Sequence, residues 1–137
     1  MAGPERFEQQ LTLTHESIAE FARLAGDGNP IHSDPELAAR SRFGGIVASG
    51  TQVTSLMMGL SATHFAHEGG MLGLEFRFRF SRPVRPDVPL CMWWQVVGRS
   101  TKASLGGDLV LLVGKTEDDA GVTLVKGSGK VLVTPAG

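Results

Sequence analysis

Cysteine is nearly missing from this 137-residue chain: Cys91 stands alone, which excludes an internal disulfide and leaves too few thiols for a cysteine-based zinc site. Histidine is sparse too, and His15, His32, His64 and His67 show no metal-ligand spacing with carboxylates, so no metal is expected. Charge of either sign is in short supply, 13 Lys and Arg against 14 Asp and Glu for a net −1. That balance offers nothing to draw nucleic acid or an anionic membrane surface as the main partner. The start, Met-Ala-Gly-Pro-Glu-Arg-Phe, lacks a basic n-region and an apolar h-region, so no secretory signal is visible and a soluble cytoplasmic protein is expected. Residues 44–66 contain no Lys, Arg, Asp or Glu at all, yet they are no membrane span. Ser49, Thr51, Gln52, Thr54, Ser55, Ser61 and His64 make the stretch too polar, and its glycines break it early.

Length predicts one domain over residues 1–137, with a real core but little material to close a pocket unaided. Pairing with a second copy is the natural remedy. The clearest chemistry lies in residues 25–32, Ala-Gly-Asp-Gly-Asn-Pro-Ile-His. Two glycines and a proline forbid a continuous helix or strand there, so the segment reads as a shaped turn that aims Asp27, Asn29 and His32 at one volume. Asp and Asn beside Gly are ordinary turn formers whose side chains bond nearby amides. Turn chemistry does not call for His32, however, and imidazole is the side chain best suited to proton transfer near neutral pH. An Asp and a His on one small volume can hold a water molecule.

The surrounding pattern supplies a scaffold. Residues 7–13 read as a first strand, and Thr14 as the N-cap of a short helix with Glu16 in its first turn. Ile18, Phe21, Ala22 and Ala25 share one face of that helix, and Gly26 ends it. Ser33-Asp34-Pro35-Glu36 is a capping signature, either Ser33 with Glu36 as a capping box or Asp34 with Pro35 at the first helical position, for a second helix through Leu37 to about Ser41. In residues 44–66 Val53, Leu56, Met57 and Leu60 give an apolar helical face. With no charged face opposite, that helix is expected to be wrapped nearly all round. Its start, Ala48-Ser49-Gly50-Thr51, leaves free backbone amides that a glycine lets a ligand oxygen approach. His64 and His67 read as helix-end residues.

From Met71 the period switches to two. Leu74, Phe76, Phe78 and Phe80 alternate with Glu75, Arg77, Arg79 and Ser81, the pattern of a half-buried strand with Arg77 and Arg79 on a solvated face. Strands follow over residues 90–97 and 109–115, a polar turn over 117–121, and a last strand over 122–134 interrupted at Gly127-Ser128-Gly129. One strand, a helical middle and then consecutive strands predict an α+β domain, an antiparallel sheet curled around one long central helix.

Gly26-Asp27-x-Asn29-Pro30-Ile31-His32, then Asp34-Pro35, then Phe43-Gly44-Gly45-Ile46-Val47-Ala48-Ser49-Gly50, and later Phe80-x-x-Pro83-Val84, together resemble the MaoC-like family of acyl dehydratases and (R)-specific enoyl-CoA hydratases. The resemblance implies a hotdog fold, a homodimer or higher homo-oligomer with active sites near the interface, and a hydro-lyase of fatty acid metabolism. It implies acyl thioester substrates, in which coenzyme A or acyl carrier protein belongs to the substrate and no separate cofactor is needed. Asp27 and His32 then match the residues that bind and activate water, and the Gly50 amide the group that bonds the thioester carbonyl. Asn29 would keep the turn in shape and Ser49, where many relatives carry His, would assist as a further donor. Met58 takes the place of a small hydroxyl residue on the central helix and would reshape the acyl tunnel, while the loop Pro83-Val84-Arg85-Pro86-Asp87 departs from the usual Pro-Val-x-x-Gly-Asp. Some of Arg77, Arg79, Arg82, Arg85 and Lys102 would hold the carrier's phosphates. Two other readings stand beside this one, a hotdog thioesterase and a non-catalytic acyl-thioester-binding subunit.

Overall fold

The computed structural model describes residues 5–136, so the reading of the chain start falls in part on residues 1–4, outside the described residues. Strand β1 (Arg6–Thr12) is followed by helices α1 (His15–Ala25), α2 (Pro35–Arg40) and α3 (Gly50–Phe65), then by strands β2 (Gly69–Phe80), β3 (Pro89–Lys102), β4 (Gly107–Asp118) and β5 (Thr123–Pro135). The strands form one antiparallel sheet in the order β1-β3-β4-β5-β2, with β1 and β2 at its edges.

Local chemistry sets the helix ends. Thr14 caps α1 through its hydroxyl, which accepts from the Ser17 amide at 3.0 Å, while the Ser17 hydroxyl accepts from the Thr14 amide at 3.0 Å. Gly26 closes the helix in the left-handed region, φ 74°, where only glycine is free of steric cost. At α2 the choice between two caps falls to Asp34, whose Oδ1 accepts from the amides of Glu36 and Leu37 at 3.1 and 3.2 Å, with Pro35 as first helical residue.

The core lies between α3 and one face of the sheet. Trp94 is fully buried there, and its indole N–H donates to the carbonyl of Met57 on α3 at 2.7 Å. Phe76 and Phe78 meet the same indole edge-on, at centroid distances of 5.9 and 6.3 Å. These rings explain a departure from the sequence pattern. Gly127-Ser128-Gly129 does not interrupt β5, which runs unbroken from Thr123 to Pro135. A Cβ on Gly127 would sit 2.9 Å from Phe78 Cε1 and 3.0 Å from Trp94 Cη2, and one on Gly129 would sit 2.7 Å from Phe76 Cε1. The glycines are strand residues under aromatic rings, where any side chain would collide.

Two further expectations are corrected. The half-buried reading of Leu74 to Phe80 holds only for Phe76 and Phe78: a register shift between Gly73 and Glu75 falls at Leu74, which is 43% exposed, while Phe80, at the end of the strand beside Gly50 of α3, is 55% exposed. Helix α3 is not enclosed all round. Gln52, Val53, Met57, Ser61 and Phe65 are buried, whereas Thr51, Ser55, Met58, Gly59 and Ala62 lie open, because a single sheet and α1 cover only part of its circumference. The helix-end reading of His64 holds: its ring stacks on Phe7 of β1, with 3.7 Å between centroids.

Candidate active site

The turn after α1 is built from its own side chains. Asp27 continues from the Gly26 cap with its amide on the Ala22 carbonyl at 2.8 Å. Asn29 Oδ1 accepts from the Ile31 amide at 3.2 Å and so caps a single 3-10 turn, Pro30–His32. That turn swings His32 inward to 6% exposure. Two bonds fasten it to the segment that leads into α3: the Val47 amide donates to the Ile31 carbonyl at 3.3 Å, and His32 Nδ1 lies 2.6 Å from the Val47 carbonyl. A carbonyl only accepts, so Nδ1 carries a proton and Nε2 is the nitrogen turned to the chemistry.

His32 Nε2 lies 3.0 Å from Asp27 Oδ2, and the Ser49 hydroxyl donates to the same oxygen at 2.7 Å. The Asn29 amide approaches the other oxygen, Oδ1, at 3.4 Å. The Asp27 carboxyl is held below its ordinary range, first by the Ser49 hydroxyl and then by the Asn29 amide and His32, which together outweigh the cost of desolvation.

His32 also lines a cavity of about 420 Å³, together with Ile31, Gly50, Val53, Phe80 and Arg82. Gly50 is the first residue of α3, so its amide has no acceptor within the helix, and the Ser49 side chain does not cap it. A Cβ at Gly50 would stand 2.9 Å from Phe80 Cε1, so glycine is what lets the Phe80 ring lie against the helix start. Asp27 opens on a neighbouring depression beside α1, whereas His32 lines the cavity at the α3 start.

The turn thus brings Asp27, His32 and Ser49 into contact, sets Gly50 on the same cavity as His32, and uses Asn29 as the cap that orients His32. Met58 stays apart: it is 38% exposed on the open face of α3 and does not line the cavity. The basic residues also sort differently. Arg85 is taken up by the Phe43 carbonyl, to which its guanidinium donates, whereas Arg42 and Arg82 stand exposed on the cavity wall. Arg42 was not singled out from the sequence, and Phe80 was named there only as a strand residue and in the Phe80-x-x-Pro83-Val84 motif, without a place in the site. Arg42 directly precedes the Phe43-Gly44-Gly45 motif, and that adjacency was the available signal.

An antiparallel sheet folded about one central helix is a hotdog fold. The chain belongs to the MaoC-like dehydratase family, since it matches the family model described as MaoC like domain over residues 2–110. It is similar to a UPF0336 protein of Streptomyces avermitilis, 30% identical over 129 residues that cover 88% of this chain and 83% of that one. It is also similar to 3-hydroxyacyl-thioester dehydratase Z of Mycobacterium tuberculosis, 34% identical over 77 residues, 54% of this chain and 51% of the relative. Among solved structures, an (R)-hydratase from A. caviae involved in PHA biosynthesis superposes with a TM-score of 0.85 over 97% of each chain at 22% identity, which speaks for the fold.

Proposed function

We propose that this protein is a hydro-lyase that reversibly hydrates trans-2-enoyl thioesters to (R)-3-hydroxyacyl thioesters. The observation that carries the reading is the Asp27–His32 contact at 3.0 Å, whose His32 side lines a cavity shared with Gly50, the first residue of α3. Hydration has two difficulties. Water is a weak nucleophile toward C3, and as it adds, negative charge gathers on the thioester oxygen. Asp27 and His32 hold one water and take its proton as the new C3–O bond forms, and the pair returns a proton to C2, so water is added across the double bond without loss of atoms. General acid–base action of this kind contributes roughly 10²- to 10⁴-fold. The Gly50 amide, at the positive end of a sixteen-residue helix, donates to the thioester oxygen, an effect of roughly 10²- to 10³-fold for one such donor. Dehydration uses the same groups in reverse.

The exposed guanidinium groups of Arg42 and Arg82 suit the phosphates of the carrier, whether coenzyme A or the phosphopantetheine arm of acyl carrier protein. Edge strand β2 pairs on one side only, with β5, and exposes Leu72 and Leu74, which supports pairing with a second copy. No helix among the described residues is long and apolar enough to cross a membrane. The thioesterase reading is weaker because α3 carries no Asp or Glu to serve as its catalytic carboxylate. A purely binding role leaves the contacts of Asp27 with His32 and Ser49 without a use.

Crotonyl-CoA and a longer trans-2-enoyl-CoA, assayed for loss of the enoyl absorbance, are expected to be hydrated. A saturated acyl-CoA is expected to release no free thiol. Release of thiol would establish a thioesterase, and tight binding with no turnover of either substrate would establish a binding subunit.

A further inference from the structure

Ser49 occupies the N-cap position of α3 without acting as a cap. Serine there ordinarily turns its oxygen to the second or third amide of the helix, yet the α3 start has no side-chain cap bond. The hydroxyl instead donates across the site to Asp27 Oδ2 at 2.7 Å. Ser49 is 1% exposed and His32 6%, so Oδ2 is enclosed between two buried groups, the hydroxyl and Nε2 at 3.0 Å. Both of these contacts fall on Oδ2. Oδ1 has a single protein contact, the long 3.4 Å approach of the Asn29 amide, and the Asp27 side chain retains 34% of its exposure.

We propose that Ser49 is a positioning residue that divides the two oxygens of Asp27. It fixes Oδ2 against His32, leaves Oδ1 as the oxygen that receives water, and by turning away from α3 leaves the Thr51 amide uncapped beside the free amide of Gly50 at the helix start. This deepens the hydro-lyase reading and rests on it for the roles of water and thioester. The hold on the carboxylate itself is a property of the fold alone. The other charged groups around Asp27 are Glu16, Glu20 and Arg23 of α1, with Arg23 engaged by Glu20 at 2.7 Å. None of the three hydrogen-bonds to the carboxylate.

The test is Ser49→Ala, with Ser49→Thr as the variant that restores a hydroxyl. Removing one hydrogen bond to a charged group is expected to lower kcat roughly 10- to 100-fold with little change in KM, and Ser49→Thr to recover part of that loss. The acid limb of the pH–rate profile is expected to move to higher pH in Ser49→Ala, because the carboxyl loses the donor that favours its charged form. Carboxyl-carbon NMR of aspartate-labelled protein reads the same change without any turnover. If the Asp27 resonance titrates at the same pH in wild type and Ser49→Ala, the positioning role is overturned, whatever the protein catalyses. If that titration moves but wild type hydrates no enoyl thioester, the positioning role stands and the hydro-lyase reading falls.

Discussion

Asp27→Asn removes one charge and almost no volume, which makes it the sharpest test of the site. The asparagine carbonyl can still accept from the Ser49 hydroxyl, and its NH2 then takes the place of Oδ1, where only the long 3.4 Å contact of the Asn29 amide is lost, so the turn is expected to keep its shape. What disappears is a negative charge 3.0 Å from His32 Nε2 and the ability to take a proton from water. Loss of the acid–base contribution is expected to lower kcat about 10²- to 10⁴-fold, about 3–5 kcal/mol on the barrier. The cost to folding is far smaller. With the side chain 34% exposed, solvent screens most of the interaction, and a loss of under about 1 kcal/mol is expected at neutral pH. The sign of the pH effect follows from the depressed carboxyl. Wild type gains stability from Asp27 above the ordinary carboxylate range and loses it as the pH falls through the lower, native value, and the asparagine variant has no such dependence at this position. Hydration of crotonyl-CoA measures the first effect, and urea unfolding at two pH values the second. A folded Asp27→Asn with turnover within about threefold of wild type would show that the acid–base pair is not Asp27 and His32.

Arg42→Glu combined with Arg82→Glu is expected to raise KM for acyl-CoA several-fold, to weaken its salt dependence, and to leave kcat nearly unchanged; an unaltered KM would remove the carrier's phosphates from this rim. Gly127→Ala is expected to destabilise the fold by about 1–3 kcal/mol in urea unfolding, because the methyl group would meet Phe78 and Trp94 at 2.9 and 3.0 Å. Gly28→Ala, with nothing within 4 Å of the added carbon, serves as the neutral comparison for stability. Sedimentation at micromolar concentration is expected to show a homodimer or a larger homo-oligomer, and a stable, active monomer would contradict the pairing of the β2 edge.

The local structure of this protein was written in short-range chemistry, and that is why so much of it could be read in order. Thr14, Gly26, Asn29, Asp34 and Pro35 act within a few residues of themselves, so their caps and turns follow from the sequence. The candidate site was legible for the same reason, since Asp27 and His32 lie in one turn whose glycines and proline leave few conformations. What remained hidden depends on residues far apart in the chain. Gly127 and Gly129 read as breaks until the rings of Phe76, Phe78 and Trp94 are laid over them, because the steric need belongs to neighbouring strands. The partner of the Ser49 hydroxyl is 22 residues away, so the sequence offered Ser49 as a further donor without its acceptor, and only the fold brings Asp27 to it. Arg85 looked like a free cation until the Phe43 carbonyl, 42 residues earlier, claimed it, while Arg42 and Phe80 became part of the site only when the loop before α3 met the end of β2. Met58 shows the limit in the other direction: its helical position was readable, but which way that face of α3 points was decided by the sheet that packs on the opposite side.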